Sequence, residues 1–310
     1  MKILITGAGG YIGRQLAERL SQRFEVVGVD LRTDDTANFP LFEMDIRDPA
    51  LASMMVNKQI SHVVHLAAVL EDSGNRDRDY DIDVNGTRNV LAACVNAGVR
   101  HIVVSSSGAA YGYHPDNPQW LSETDALRGN KEFAYSDHKR QVEEMLETYR
   151  RDHPELKQLI LRVGTVLGAN TKNLITNLFK RKRLLTVKGS AAPFVFIWDK
   201  DLLSIIEQGV VNSTSGIFNV AGDGTLTMEQ IAALINKPVL RISAGILKSL
   251  LAVGKVVGLT RYGPSQINFL RYRPVLSNKK LKSEFAFTPE KTSEEAFLFF
   301  AEHARSRGEL

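Results

Sequence analysis

The chain has 310 residues, 44% of them apolar and 24% charged, enough to bury a large core and typical of a soluble α/β protein rather than a disordered or fibrous one. Its 39 basic and 35 acidic residues leave a net charge of +4 dispersed along the chain, weak ground for a nucleic-acid partner, and its single cysteine, Cys94, excludes a disulfide framework. Strand-like sequence begins at Lys2 and no apolar run reaches the ~18 residues that cross a bilayer, so a cytoplasmic protein without a membrane span is expected.

Short apolar, β-branched runs alternate with helical patterns along the first half. "KILIT" precedes a helix over 11–22; "EVVGVD" and "LFEMD" follow; Asp48-Pro49 opens a second helix; "HVVHLA" leads to a helix over 83–97; "HIVVSSS" leads to one over 136–151; "QLILRV" closes the series. Cys94 falls on the apolar face of its helix and is read as core. Strands apolar on both faces with helices between them predict an α/β fold of the Rossmann type, a doubly wound parallel sheet with a ligand over the carboxyl ends of its strands. After Gly168 the rhythm breaks. Residues 1–167 and 194–222 are read as a dinucleotide-binding domain, and 168–193 with 223–310 as a smaller, mostly helical substrate-binding lobe. The basic run Lys180 to Arg183 is read as a solvated helix face, and "AGILKSLLAVGKVVGL", 244–259, as a helix packed on a core or lining an apolar pocket.

Gly7, Gly10 and Gly13 follow the first strand at a spacing of three and precede a helix, an arrangement that lets backbone approach a bulky anion held at the helix N-terminus. A glycine triplet alone is weak, and Asp30 at the end of the second strand adds to it: a carboxylate there accepts from both hydroxyls of an adenine ribose and repels a 2'-phosphate. NAD is therefore expected over NADP, with Arg14 and Arg32 close enough to blur the preference. Asp45 and Ile46 are candidates for the adenine amino group and ring, against the plainer reading of a loop acid beside a core residue. Leu66, Ala67 and Ala68 end the fourth strand with small side chains over which a dinucleotide can lie flat; His65 before them reads more simply as a satisfied core histidine.

Tyr135 and Lys139 in "YSDHK" are four apart and share a helix face. A tyrosine is a poor base at neutral pH, and a neighbouring ammonium favours its phenolate. Ser107, in "VSSSGAAYG", is then placed to hold a substrate oxygen while Tyr135 takes or returns the proton and a hydride moves to or from a nicotinamide. No metal is expected.

Taken together, "TGAGGYIG", "VVGVD", "DIRD", "HLAA", "DVNGTRNVL", "VSSSGAAYG", "YSDHK", "LRVGTVLG", "FVFIWDKDLLSII", "GIFNVAGDGTLTMEQIA" and the tail from "FLRYRP" resemble the extended short-chain dehydrogenases/reductases of the NAD-dependent epimerase/dehydratase type, over nearly the whole chain. The resemblance implies NAD-binding roles for Gly7, Gly10, Tyr11, Ile12, Gly13, Asp30, Asp45, Ile46, Ala67 and Lys139, a catalytic set of Ser107, Tyr135 and Lys139, support near the nicotinamide from Asn85, and a homodimer through the helices at 83–97 and 136–151.

Two departures shape the expected reaction. Dehydratases of the family carry Thr-Asp-Glu where this chain has Ser106-Ser107-Gly108, so the groups that eliminate water are missing. Sugar-nucleotide epimerases carry a diphosphate-clamping arginine where this chain has Phe194, while Asn173 matches the family's nucleotide-contacting asparagine or is simply a helix cap, and Arg271 and Arg273 can offer charge. The leading expectation is an NAD-dependent oxidoreductase acting on a secondary alcohol or ketone. The alternatives are a UDP-sugar 4-epimerase with tightly bound NAD and a non-catalytic dinucleotide-binding sensor or scaffold. Ser107, Asn173, Phe194 and Arg271 are the candidate substrate contacts.

Overall fold

A computed structural model describes residues 1–33, 36–70, 73–256, 258 and 263–310. They form two compact units, the first of Met1–Ser107, His138–Arg162 and Asp199–Phe218, the second of Gly108–Asp137, Val163–Trp198 and Asn219–Leu310. Of the residues expected in the dinucleotide domain, 108–137, 163–167, 194–198 and 219–222 fall in the second compact unit. Backbone bonds explain part of this: Leu121 N–H donates to Val275 O and Ser277 N–H to Leu121 O, tying the segment after 108 to the tail. The Asn219 amide reinforces the tie, donating to Leu121 O and accepting from the Tyr111 hydroxyl.

The first unit is built in chain order from β1 (Lys2–Thr6), α1 (Tyr11–Ser21), β2 (Glu25–Asp30), β3 (Leu41–Glu43), α2 (Ala50–Asn57), β4 (His62–His65), α3 (Arg76–Tyr80), a π-helical turn (Asp81–Asn85), α4 (Gly86–Asn96) and β5 (His101–Ser107). The chain continues with α5 (Ala134–Asp152), β6 (Lys157–Val163), β7 (Thr165–Leu167), α6 (Leu174–Phe179), β8 (Leu184–Val187), β9 (Phe196–Trp198), α7 (Asp199–Val211) and β10 (Gly216–Val220). Seven strands form one sheet in the order β10-β6-β5-β4-β1-β2-β3. Pairing is parallel from β5 through β4, β1 and β2 to β3, as strands buried on both faces require. Helix α1 buries Gly13, Leu16, Ala17 and Leu20, the helical stripe that seats it on the sheet. Cys94 is fully buried in the core with Leu4, Val63 and Leu91, and burial pushes its thiol up.

In the second unit β7 pairs with β9, and β8 with β11 (Val239–Ile242). Helices α8 (Met228–Leu234), α9 (Ala244–Val256), α10 (Ile267–Arg271), α11 (Lys279–Ser283) and α12 (Ser293–Ser306) complete it. The core is aromatic: Phe179 meets Phe194, Phe297 and Phe300 edge-on, while Phe194 and Phe196 stack at 5.5 Å. Side-chain capping boxes open α6, α8 and α12. The predicted helix over 244–259 is α9; Val257 and Leu259 lie outside the described residues. Among the described residues no helix is long and apolar enough to cross a membrane, and no metal-ligating cluster occurs.

Candidate active site

The turn from β1 into α1 is fixed by close approach. Gly7 has φ of +70°, its N–H donates to Val29 O, and a Cβ on it would stand 2.8 Å from Ala67 N. A Cβ on Gly13 would stand 2.1 Å from Gly7 O, so only glycine lets the helix begin this close to the strand. Gly9 and Gly10 are exposed at the helix mouth, no side chain caps α1, and its first turn carries no acid, which is the surface a diphosphate fits. Tyr11 turns its hydroxyl to Asp199 Oδ2 at 2.5 Å. Ile12 is half-buried.

Asp30 ends β2 with Oδ2 accepting from Gly9 N–H at 2.9 Å, which holds the carboxylate beside the glycine turn. Arg14 is engaged elsewhere, with Glu18 at 3.0 Å and Thr36, whereas Arg32 is exposed. These residues fit an adenine dinucleotide.

Three further candidates have these neighbours. Both oxygens of Asp45 are held by Arg47, from its backbone N–H, Nε and Nη2, and the guanidinium holds the carboxyl below the usual carboxylate range. Ile46 is 5% exposed with its δ-methyl against Gly86, a core residue rather than an open ring cover. Asn85 gives its amide to Asp81 Oδ1 at 2.9 Å, and Asp81 in turn takes Arg47 Nη1 at 2.7 Å, which links Asn85 to the Asp45 network.

At the Lys139 end the sequence reading missed two residues on the same helical segment, Asp83 and Thr87. They line a small recess with His65, Ala67, Ser105 and Lys139. Thr87 Oγ1 donates to Asp83 O at 2.6 Å and so accepts from His65 Nε2 at 2.9 Å. His65 Nδ1 then accepts from Thr6 Oγ1 at 2.7 Å, and Thr6 accepts from Ala67 N–H. Burial, with the Lys139 ammonium nearby, pushes His65 down to about 3, so it is the neutral, satisfied core histidine expected. Leu66, before Ala67 and Ala68, donates its N–H to Thr6 O. Asp83 also takes Val69 N–H and His138 Nδ1, at 2.8 and 2.9 Å, well buried.

Along β5 the serines alternate. Ser106 is buried against Glu143, while Ser105 and Ser107 lie on the other face, half-buried. Lys139 Nζ donates to Ser105 O at 2.9 Å. Ser107 and Lys139 belong to the first unit; Tyr135 sits in the first turn of α5, one turn before Lys139, within the second.

Tyr135 has aromatic company that the sequence did not announce. Phe133 lies 6.3 Å from it, and Phe133, Tyr113 and Phe269 contact one another at 5.2–5.6 Å. Burial, then Tyr135, raise the Tyr113 hydroxyl above its ordinary range. Arg273 places its guanidinium 3.8 Å over the Phe194 ring and 5.4 Å from Phe269. Its Nη1 donates to Ala192 O, its Nε is buried with no partner among the described residues, and burial lowers it to about 10. Phe194, 2% exposed, is floor beneath a cation and not a substrate-facing wall. Asn173 caps α6: its Oδ1 accepts from Thr176 N–H and its Nδ2 donates to Val166 O, the plainer of its two readings. Arg271 stacks on Tyr272 at 4.6 Å. A Cβ at Gly108 would stand 3.0 Å from Leu276 Cδ2, so a larger side chain there requires the Leu276 side chain to shift.

The model of the family described as "NAD dependent epimerase/dehydratase family" matches residues 3–197. The chain belongs to that family. This member is 27% identical to an uncharacterized protein of Mycobacterium tuberculosis over 99% of this chain and 84% of the relative. It is 26% identical, over 76% of this chain and 71% of the relative, to N-acetyl-alpha-D-glucosaminyl-diphospho-ditrans,octacis-undecaprenol 4-epimerase of Escherichia coli. UDP-glucose 4-epimerase of Thermotoga maritima, solved with UDP-glucose, superposes with a TM-score of 0.77 at 20% identity and 99% coverage of both chains, a likeness of fold. The epimerase/dehydratase chain is thus an enzyme of an NAD-dependent family with a Rossmann-type sheet.

Proposed function

We propose that this family member oxidises and re-reduces a secondary alcohol carbon of a sugar that carries a diphosphate, the work of a 4-epimerase. The observation that carries this reading is Arg273: a guanidinium stacked on Phe194, with its Nε unpaired among the described residues, supplies the positive charge that Phe194 lacks. A sugar diphosphate is also the substrate class in the names of the relative from Escherichia coli and the neighbour from Thermotoga maritima.

In this reading Gly7, Gly10 and Gly13 seat the diphosphate of NAD against α1, and Asp30 takes its adenine ribose. Bound NAD supplies the acceptor and then the donor of a hydride. Ser107 holds the substrate hydroxyl, Tyr135 withdraws its proton, and the Lys139 ammonium one turn away favours the phenolate. The same Tyr135 returns the proton when the carbonyl is reduced. The reading includes a homodimer through the helices at 83–97 and 136–151, and a stable monomer on sedimentation would remove that element.

The second reading, net oxidation of a secondary alcohol or reduction of a ketone, draws on the aromatic ring set of Tyr113, Phe133 and Phe269 beside Tyr135, which suits an apolar substrate. Incubation with UDP-glucose, UDP-galactose and a polyprenyl-diphosphate-linked amino sugar, followed by chromatography, separates the two. An epimer formed without net NADH supports the first; stoichiometric NADH from a simple alcohol, with every sugar unchanged, replaces it with the second.

A further inference from the structure

Helix α9 has two apolar faces. The inner one carries Leu247, 7% exposed, with Leu251 beside it, packed on Val187 and Ile267. The outer one carries Ile246, Leu250 and Val253, exposed by 59, 57 and 62%. Their spacing of four and three sets them in one stripe along the helix. Single exposed apolar residues are ordinary, but three bulky aliphatic side chains in register along one helix are a surface that water does not favour.

Charge says what covers it. Between Glu229 and Glu284 the sequence holds no acidic residue and ten basic ones: Lys237, Arg241, Lys248, Lys255, Arg261, Arg271, Arg273, Lys279, Lys280 and Lys282. The rest of the chain, with 29 basic and 35 acidic residues, has a net charge of −6, so the positive character of the protein is concentrated in this stretch of the sequence, which includes α9. On α9 itself Lys248 and Lys255 are exposed, whereas Arg241 on β11 stands 4.0 Å from Glu229, Lys282 pairs with Asp223 at 2.7 Å and Arg273 is held over Phe194.

We propose that this part of the second unit docks on an anionic phospholipid bilayer, with Ile246, Leu250 and Val253 entering the headgroup boundary and Lys248 and Lys255 on the same helix meeting lipid phosphates. An interfacial helix of this kind needs both an aliphatic stripe and positive charge. A second copy of the chain fits less well, because it would bring the same basic stretch against itself. A nucleic acid would answer the charge and leave the stripe wet. The helix lies flat and does not span, in keeping with its thirteen residues.

Cosedimentation of the full chain with vesicles tests this directly, using phosphatidylcholine alone or mixed with phosphatidylglycerol. The protein is expected to pellet with the mixed vesicles, to stay in solution with phosphatidylcholine alone, and to be released by salt. The Ile246→Ser/Leu250→Ser/Val253→Ser variant is expected to lose at least about tenfold in vesicle partition while binding NAD like the parent. Lys248→Glu/Lys255→Glu, which leaves the apolar faces intact, is expected to lose the response to phosphatidylglycerol and guards against a folding defect in the first variant. A parent chain that stays in solution with mixed vesicles overturns the proposal, as does a serine variant that pellets like the parent. A parent that dimerises through this face without touching vesicles, and falls to monomer in the serine variant, assigns the stripe to a second copy and also overturns it. Sugar epimerisation is measured in free solution, so neither reading's failure mimics the other's.

Discussion

The Ser106 hydroxyl donates to Glu143 Oε1 across 2.5 Å, and the same carboxylate grips Arg162 through Nε and Nη2. Both charged side chains are about 95% buried, so each depends on the other for compensation. Arg162→Met is expected to strand the Glu143 charge and cost about 3–5 kcal/mol in urea unfolding. Ser106→Ala should cost less, about 1.5–3 kcal/mol for a bond to a charged group, and leave turnover unchanged, since its hydroxyl faces away from Ser107. Loss of activity in a folded Ser106→Ala protein would place that serine in the reaction after all.

Gly13→Ala puts a methyl group 2.1 Å from Gly7 O, and the obstacle is backbone that cannot swing aside. The variant is expected to lose NAD binding beyond detection by isothermal titration and to melt earlier than the parent. Unaltered NAD affinity would show that the turn rearranges freely.

Removing the carboxylate in Asp30→Ala takes away the proposed ribose acceptor and the partner of Gly9 N–H. NAD affinity should fall about tenfold, the loss of about one charge-assisted hydrogen bond, while NADP affinity holds or improves. Equal losses for the two dinucleotides would count against Asp30 as the discriminating group.

Tyr135→Phe keeps the ring beside Phe133 and deletes the hydroxyl. Turnover is expected to drop by at least about a hundredfold with NAD affinity within a factor of about two. Substantial residual turnover would move the proton transfer to another group.

Stability should fall in mild acid for an identifiable reason. His65 titrates at about 3 in the folded protein because it is buried, against 6.5 when exposed, and burial likewise holds His62 at about 4. Above pH 6.5 both folded and unfolded chains carry these rings neutral. Below it the unfolded chain takes up protons that the folded one refuses, so stability falls with pH down to about 3 for His65 and about 4 for His62, by up to about 1.4 kcal/mol per unit for each ring. Between pH 7 and pH 5, His65→Asn should lose about 2 kcal/mol less than the parent in urea unfolding. Identical losses would mean that His65 accepts a proton without unfolding.

Backbone periodicity carried most of the fold in the sequence: strands apolar on both faces, the glycine spacing and Asp30 all declare themselves locally. What stayed hidden depends on side-chain direction. Asn85 and Asp83 lie two apart, and only the π-helical turn at Asp81–Asn85 shows that the first joins Arg47's partners while the second reaches His138. Phe194 taken alone implied an uncharged site, because the arginine that stacks on it arrives from far along the chain and no local pattern marks the pairing. The break between units after Ser107 was equally illegible, since it is made by bonds from Leu121 to Val275 and Ser277.

Helices α6, α8 and α12 close their own N-termini with Asn173, Thr227 and Thr292, whereas α1 begins at bare glycines. The glycine mouth of α1 is therefore an end left for a guest molecule to finish. Whatever anion fills that end becomes a component of the folded state: at a hundred times its dissociation constant it deepens the native well by about 2.7 kcal/mol. The first unit's resistance to heat and proteolysis should then track the cell's dinucleotide pool, making the lifetime of this protein a readout of the supply of its own coenzyme.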